Sequence, residues 1–301
     1  MEHNPTNAQR AEILTQALPY IRKYSGKILV VKYGGNAMIH EERKQQVMED
    51  LVLLSLCGVR VVLVHGGGPE ITDMLSRIGK KSEFVDGLRV TDRESAEVVQ
   101  MVLAGKINKT LVNLLGIHGG RAMGISGVDG RLIEAEVKDP RLGYVGRITA
   151  IHADPIFDLL DRGYIPVIST VGCDAQGNIY NINADTAAAY IAGAISAECL
   201  ITMTDIAGIL RDRHDPASLI PCIDIAEARE LAGSGIIDGG MIPKVECCIE
   251  AIRRGVRQVI IMDGRIPHAI LIETLTDEGA GTMVVAERAP LPADTGKGDS
   301  L

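Results

Sequence analysis

Two patterns recur along this chain: short runs of β-branched residues that end in glycine, and longer stretches with apolar residues at every third or fourth position. The run Ile28-Leu-Val-Val-Lys-Tyr33, closed by Gly34-Gly35-Asn36, predicts a buried strand. Val47, Leu51 and Leu54 then share one face of a helix over about 41–56, with Gly58 as its stop. A second strand, Val59 to Val64, runs into His65-Gly66-Gly67-Gly68-Pro69, where Pro69 suits the first turn of another helix. Thr91 and Glu94 fit a capping box ahead of Val98, Val99, Val102, Leu103 and Ile107 at helical spacing. Short strands with glycine-rich turns are expected over roughly 120–150, followed by a helix near 154–162 and the strand Ile165–Ser169.

From Asp185 the pattern restarts. An alanine-rich helix over 185–197 leads to the strand Cys199–Thr204, with further helices near 224–233 and 241–254 and strands near 257–262 and 282–286. Repeated strand–helix alternation predicts an α/β fold, a three-layer αβα sandwich around a mainly parallel sheet. Ahead of it, Ala11, Leu14, Leu18 and Ile21 make a narrow apolar stripe on a helix over 8–24, which Pro19 should kink. That helix packs either on its own body or on another subunit. The expected organisation is an N-terminal helix (1–25), one lobe over 26–184, a second over 185–289 and a disordered tail over 290–301.

Composition narrows the function. The chain has 301 residues, 46% hydrophobic and 23% charged, which excludes a disordered chain or a small disulfide scaffold. With no Trp, two Phe and a formal charge of −8, nucleic acid is not an expected partner. The six cysteines form no C-x-x-C pair, so neither a zinc site nor a disulfide framework is expected, and free thiols suit the cytoplasm. The start MEHNPTNAQRAE lacks a signal-peptide pattern, and no apolar run is long enough for a membrane span.

Familiar glycine motifs fail on their residues. No G-K is followed by Ser or Thr after the Walker spacing, no G-x-G-x-x-G is complete, and no G-x-S-x-G supplies a serine nucleophile. What remains is a pair of glycine loops at consecutive strand ends, Lys32-Tyr33-Gly34-Gly35-Asn36 and His65-Gly66-Gly67-Gly68-Pro69. Glycines at βα turns can serve steric needs alone. Two such loops feeding helices also present bare backbone N–H groups to an anion, phosphate above all. Lys32, at the last inward position of a buried strand, calls for a counter-charge. Lys244 follows Gly239 and Gly240 in the first turn of a later helix, so two lysines from separate halves could meet on one transferring phosphoryl group. Asp185, at a helix start, could hold both or could serve only the helix dipole. His65 reads as structural.

The motifs K-Y-G-G-N (32–36), H-G-G-G-P (65–69), D-G-L-R-V-T (86–91), N-I-N-A-D (181–185), T-D-I-A-G (204–208) and D-G-G-M-I-P-K (238–244) occur in an order that resembles the amino acid kinase family over about 27–286. The resemblance implies that Lys32 and Lys244 stabilise the transition state and that Asp185 positions them. It implies that Gly66, Gly67 and Gly68, with Arg89, Asn181 and Asn183, bind the substrate, and that Gly34, Gly35, Thr204, Asp205, Gly208, Gly240 and Met241 serve the nucleotide. The pairing of D-G-L-R-V-T with N-I-N-A-D points to the member that phosphorylates the γ-carboxylate of N-acetyl-L-glutamate with ATP in arginine biosynthesis. Magnesium would arrive with ATP, with no dedicated metal site. A guanidinium such as Arg89 grips a carboxylate through two parallel hydrogen bonds.

An N-terminal helix of this kind accompanies, by the same resemblance, ring-shaped hexamers (trimers of dimers) inhibited by L-arginine. Tyr20, His268, Glu273 and Gly279 are the matching effector positions, and the PII protein is a possible partner. Two rivals remain: a sister kinase for carbamate, glutamate or aspartate, and a catalytically silent arginine-sensing domain.

Overall fold

The computed structural model describes residues 6–38 and 40–288; the tail expected over 290–301 lies outside them. Fourteen strands are β1 (Ile28–Tyr33), β2 (Arg60–His65), β3 (Phe84–Val85), β4 (Leu88–Arg89), β5 (Ala122–Ser126), β6 (Ile133–Val137), β7 (Gly146–Ile151), β8 (Ile165–Ser169), β9 (Val171–Cys173), β10 (Ile179–Asn181), β11 (Cys199–Thr204), β12 (Cys222–Asp224), β13 (Gln258–Asp263) and β14 (Gly281–Val285). The helices are α1 (Asn7–Gln16), α2 (Leu18–Tyr24), α3 (Glu41–Leu56), α4 (Gly68–Arg77), α5 (Arg93–Gln100), α6 (Asn108–Ile117), α7 (Asp154–Asp161), α8 (Ala184–Ala194), α9 (Ile225–Gly233), α10 (Met241–Arg253) and α11 (Ala269–Leu275).

Eight strands form the central sheet in the order β12-β14-β13-β11-β1-β2-β8-β5, parallel except for the β13–β14 pair. β1 lies at the middle, with β11 on one side and β2 on the other. Its alternation assigns the layers. Leu29, Val31 and Tyr33 join the core under α3, α5 and α6, whereas Val30 joins the opposite core with the alanines of α8 and the apolar face of α10. Helices therefore cover both faces. Of the short strands expected over 120–150, β5 edges the central sheet, whereas β6 and β7 join β9 and β10 from further along the chain in a smaller sheet, β10-β9-β6-β7; β3 and β4 make a hairpin.

Several boundaries differ from expectation for local reasons. The single kinked N-terminal helix is two helices that break at Ala17, with Pro19 in the first turn of α2. Leu14 and Leu18 of the stripe are exposed, and only Tyr24 of the two helices is buried. Asp92, not Thr91, caps α5: its carboxylate accepts the Ser95 N–H at 2.8 Å, while the Thr91 hydroxyl donates to the Arg89 carbonyl. The helix does not stop at Gln100. A π-helical stretch, Met101–Ile107, carries it into α6. The helix expected over 185–197 ends at Ala194, and the strand expected from Val59 begins at Arg60. Among the described residues no helix is long and apolar enough to cross a membrane.

Candidate active site

β1 and β2 end level with each other, Lys32 opposite Val64 and Tyr33 opposite His65, so both glycine loops leave the sheet at the same edge. Gly34 sits so close to the second loop that a Cβ there would lie 3.3 Å from the Gly66 nitrogen, and a Cβ on Gly66 would lie 3.1 Å from the Ala184 Cβ. Gly35 has φ +64, which favours glycine. The second loop ends in Gly67, which precedes α4.

Lys32 shares the strand face of Val30 and so points toward α8. There its ammonium meets Asp185 Oδ1 at 2.7 Å, and Lys244, from the first turn of α10, approaches Asp185 Oδ2 at 3.5 Å. Burial works to raise the Asp185 pKa, but the charges of Lys32 and Lys244 outweigh it and hold the carboxyl below its ordinary range. Asp185 is thus an anion shared by two cations, and the group keeps a net positive charge.

Two cavities flank these lysines. One, of about 270 Å³, is lined by Lys32, Gly34, Gly35, Gly66, Gly67 and Gly68 together with Arg89, Asn181, Asn183, Asp185 and Lys244. The other, of about 380 Å³, is lined by Asp205, Gly208, Gly240, Met241 and again Lys244. Lys244 faces both. Gly34 and Gly35, expected on the nucleotide side, line the first cavity. Thr204 ends β11 buried, with its hydroxyl 3.3 Å from the Asp205 carboxylate.

Arg89 is buried, 7% exposed, and its donors go to neutral acceptors: the Gly68 carbonyl (2.9 Å), Thr72 Oγ1 (2.7 Å) and the Ser82 hydroxyl. The Phe84 ring lies 4.7 Å from its guanidinium carbon. Burial lowers the Arg89 pKa, and among the described residues no carboxylate pairs with it. A buried cation held by neutral groups is a seat for an anionic guest. Asn181 donates to Thr91 Oγ1 at 3.3 Å. Asn183 caps α8, its Oδ1 accepting from the Thr186 N–H at 3.0 Å, so that oxygen is committed to the helix. Thr72, Ser82 and Phe84, which hold Arg89, carry no spacing signal that sequence reasoning could have used.

The four positions expected to bind an effector lie around α11, not in either cavity. Tyr20 on α2 donates to the Asp277 carboxylate, Glu273 accepts the Ala280 N–H at 2.6 Å, and a Cβ on Gly279 would lie 3.6 Å from Glu273 Oε2. His268 precedes α11 with φ +54 and pairs at 2.6 Å with the buried Asp50 of α3. Among the described residues no group of three His, Cys, Asp or Glu converges as a metal site.

Comparison with known proteins adds four findings. A profile of the amino acid kinase family matches residues 27–263. The acetylglutamate kinase of Trichodesmium erythraeum is 52% identical over 284 residues, covering 94% of this chain and 97% of that protein. Among solved structures, N-acetylglutamate synthase from Neisseria gonorrhoeae complexed with coenzyme A and N-acetyl-glutamate superimposes with a TM-score of 0.80 at 26% identity, covering 93% of this chain. This chain spans 64% of that synthase. The same synthase complexed with coenzyme A and L-arginine gives a TM-score of 0.76 at 25% identity, over 92% of this chain and 65% of the synthase.

Proposed function

The chain belongs to the amino acid kinase family, and from that premise we propose that it transfers the γ-phosphoryl group of ATP to the γ-carboxylate of N-acetyl-L-glutamate. The observation that carries this reading is the convergence of Lys32 and Lys244 on Asp185 between two cavities. The cavity with Arg89 and the glycine loops holds the acyl amino acid, and the cavity of Asp205, Gly208, Gly240 and Met241 holds ATP. Arg89 grips the α-carboxylate, and Asn181 lies beside the acetamido group.

The attacking carboxylate is already an anion at neutral pH, so the reaction needs no general base. One of its oxygens bonds to the γ-phosphorus as the bond to the β–γ bridging oxygen breaks, giving an acyl phosphate and ADP. Negative charge builds on the equatorial and bridging oxygens. Lys32, Lys244 and the N–H groups of the loops other than that of Gly66, which is donated to the Tyr33 carbonyl at 3.1 Å, stand where that charge develops, and Asp185 keeps the two ammonium groups in place without reorganisation. A magnesium ion arriving with ATP would supply further neutralisation of that charge, with none of the described residues forming a dedicated metal site. Hydroxylamine trapping tests the reading: acyl hydroxamate should form with ATP and N-acetylglutamate, and far less with free glutamate, aspartate or carbamate. Equal turnover of unacetylated glutamate would reject the substrate.

The regulatory part follows from the effector positions. L-Arginine inhibits by binding beside α2 and α11 at Tyr20, His268, Glu273 and Gly279, and the exposed Ile13, Leu14 and Leu18 seat the N-terminal helices on neighbouring subunits of a hexamer, a trimer of dimers. The likeness to a synthase complexed with L-arginine supports that effector. PII is a candidate partner of such a ring. All six cysteines are free thiols, which supports a cytoplasmic location. We place the lobe boundary at 184/185, at the start of α8, which assigns β1 to the first lobe and its parallel neighbour β11 to the second.

A further inference from the structure

His65 is fully buried at the end of β2 and takes no part in lining the cavity, yet both of its ring nitrogens are engaged. Nδ1 lies 3.0 Å from the carbonyl oxygen of Gly66, and Nε2 lies 3.2 Å from Asn108 Nδ2. The same amide nitrogen faces the carbonyls of Val167 at 2.9 Å and Ile125 at 3.2 Å, so it is a donor. The Lys109 ammonium, 3.1 Å from Asn108 Oδ1, fixes the other end of the amide. Nε2 must then accept, and the ring hydrogen sits on Nδ1, donated to Gly66. Burial, which pushes this imidazole down to about 4, keeps the ring neutral.

A trans peptide points its C=O and N–H in opposite directions. With the Gly66 oxygen held toward the imidazole, the N–H of Gly67 is turned away from it, and Gly66 and Gly67 line the cavity whereas His65 does not. The other carbonyls of the loop are also tied to the protein: His65 by Thr170 Oγ1 (3.3 Å), Gly67 by the Ile71 N–H (3.0 Å) and Gly68 by Arg89. The loop cannot retreat. A Cβ on Gly67 would come within 2.1 Å of Ile107 Cδ1, at the end of the π-helical stretch that also delivers Asn108. We propose that His65, fixed in its Nδ1–H form by Asn108, is the positioning residue that aims the Gly67 N–H at the transferring phosphoryl group. The proposal rests on the phosphoryl-transfer reading.

Two substitutions separate aiming from packing. His65→Asn puts an amide nitrogen near the place of Nδ1, keeping the clamp on Gly66 while losing Asn108. His65→Gln reaches Asn108 and loses the clamp. We expect His65→Gln to lower kcat at least tenfold with the KM for ATP within twofold, and His65→Asn to stay within threefold of the parent kcat. Packing alone predicts the reverse, because the shorter Asn leaves the larger void, so His65→Asn should have the lower Tm. If kcat falls in the order of Tm, the proposal is overturned. Nitrogen-15 NMR of the imidazole in the unliganded protein gives a readout that needs no turnover. A protonated Nδ1 and bare Nε2 support the proposal, and the opposite tautomer overturns it whatever the activity. An unsubstituted protein that forms no acyl phosphate from any of the acceptors named above would sink the kinase reading. The Gly67 amide shift on adding inorganic phosphate, present in His65→Asn and lost in His65→Gln, would then still decide the positioning role.

Discussion

Lys32 exposes 6% of its surface at the end of a buried strand, and an ammonium so placed is tolerated because Asp185 lies 2.7 Å away. Replacing the carboxylate by an amide removes the counter-charge and leaves two like charges adjacent. Asp185→Asn is therefore expected to lose both activity and about 3 kcal/mol of folding stability, read from urea unfolding. Lys244 is more exposed and contributes more to turnover than to folding. Lys244→Ala should lower kcat by roughly 10²–10⁴-fold with little change in the unfolding midpoint, and a change under threefold would remove it from the mechanism. His65 gives a pH signature. Burial lowers its folded pKa to about 4, below the ordinary imidazole value of 6.5, so protons bind the unfolded chain more readily. Its contribution is complete above pH 6.5 and fades as the pH falls toward 4, by about 3 kcal/mol in all. Urea titrations across that window should show this slope in the parent protein and a shallower one in His65→Gln.

At the scale of elements, the glycine loops and their flanking strands were legible because strand, turn and helix signals agree locally. β1 spans the expected residues, and α3 does too. What lay beyond reach depends on contacts distant in sequence. Thr91 looks like a cap, but its backbone is drawn into a bridge with Gly143, and the capping role passes to Asp92. The π-helical stretch has no period of its own that separates it from the helix on either side; its place under Gly67 exists only in the folded chain. In the site, the lysines and Arg89 were readable from charge beside glycine, whereas Asn108, Thr170 and Thr72 are polar residues whose partners lie far along the chain. Two tests belong here. Asp92→Ala should cost about 1 kcal/mol by removing the α5 cap. Gly67→Ala, which drives a methyl into Ile107 and Leu103, should abolish phosphoryl transfer while ATP binding, on the far side of Lys244, persists.

For the whole molecule, the N-terminal helices are the part least explained by the chain itself. Their apolar residues Ile13, Leu14 and Leu18 face outward, and α2 touches its own body mainly beside α11. Deleting residues 1–25 is expected to cut the mass in light scattering from a hexamer to a dimer and to weaken arginine inhibition while sparing turnover. An unchanged mass would refute the interlacing role.

The level pairing of β1 with β2 has a consequence for how the site tolerates change. Neighbouring strands stand about 4.8 Å apart, a distance set by backbone hydrogen bonds and indifferent to side chains. The central sheet is thus a ruler for the gap between the two loops, and surface insertions elsewhere leave its graduations untouched. Duplicating one residue inside β1 would do more harm than losing a whole outer turn, since Lys32 would rotate to the opposite face and aim its charge into the apolar core around Leu51 and Leu63.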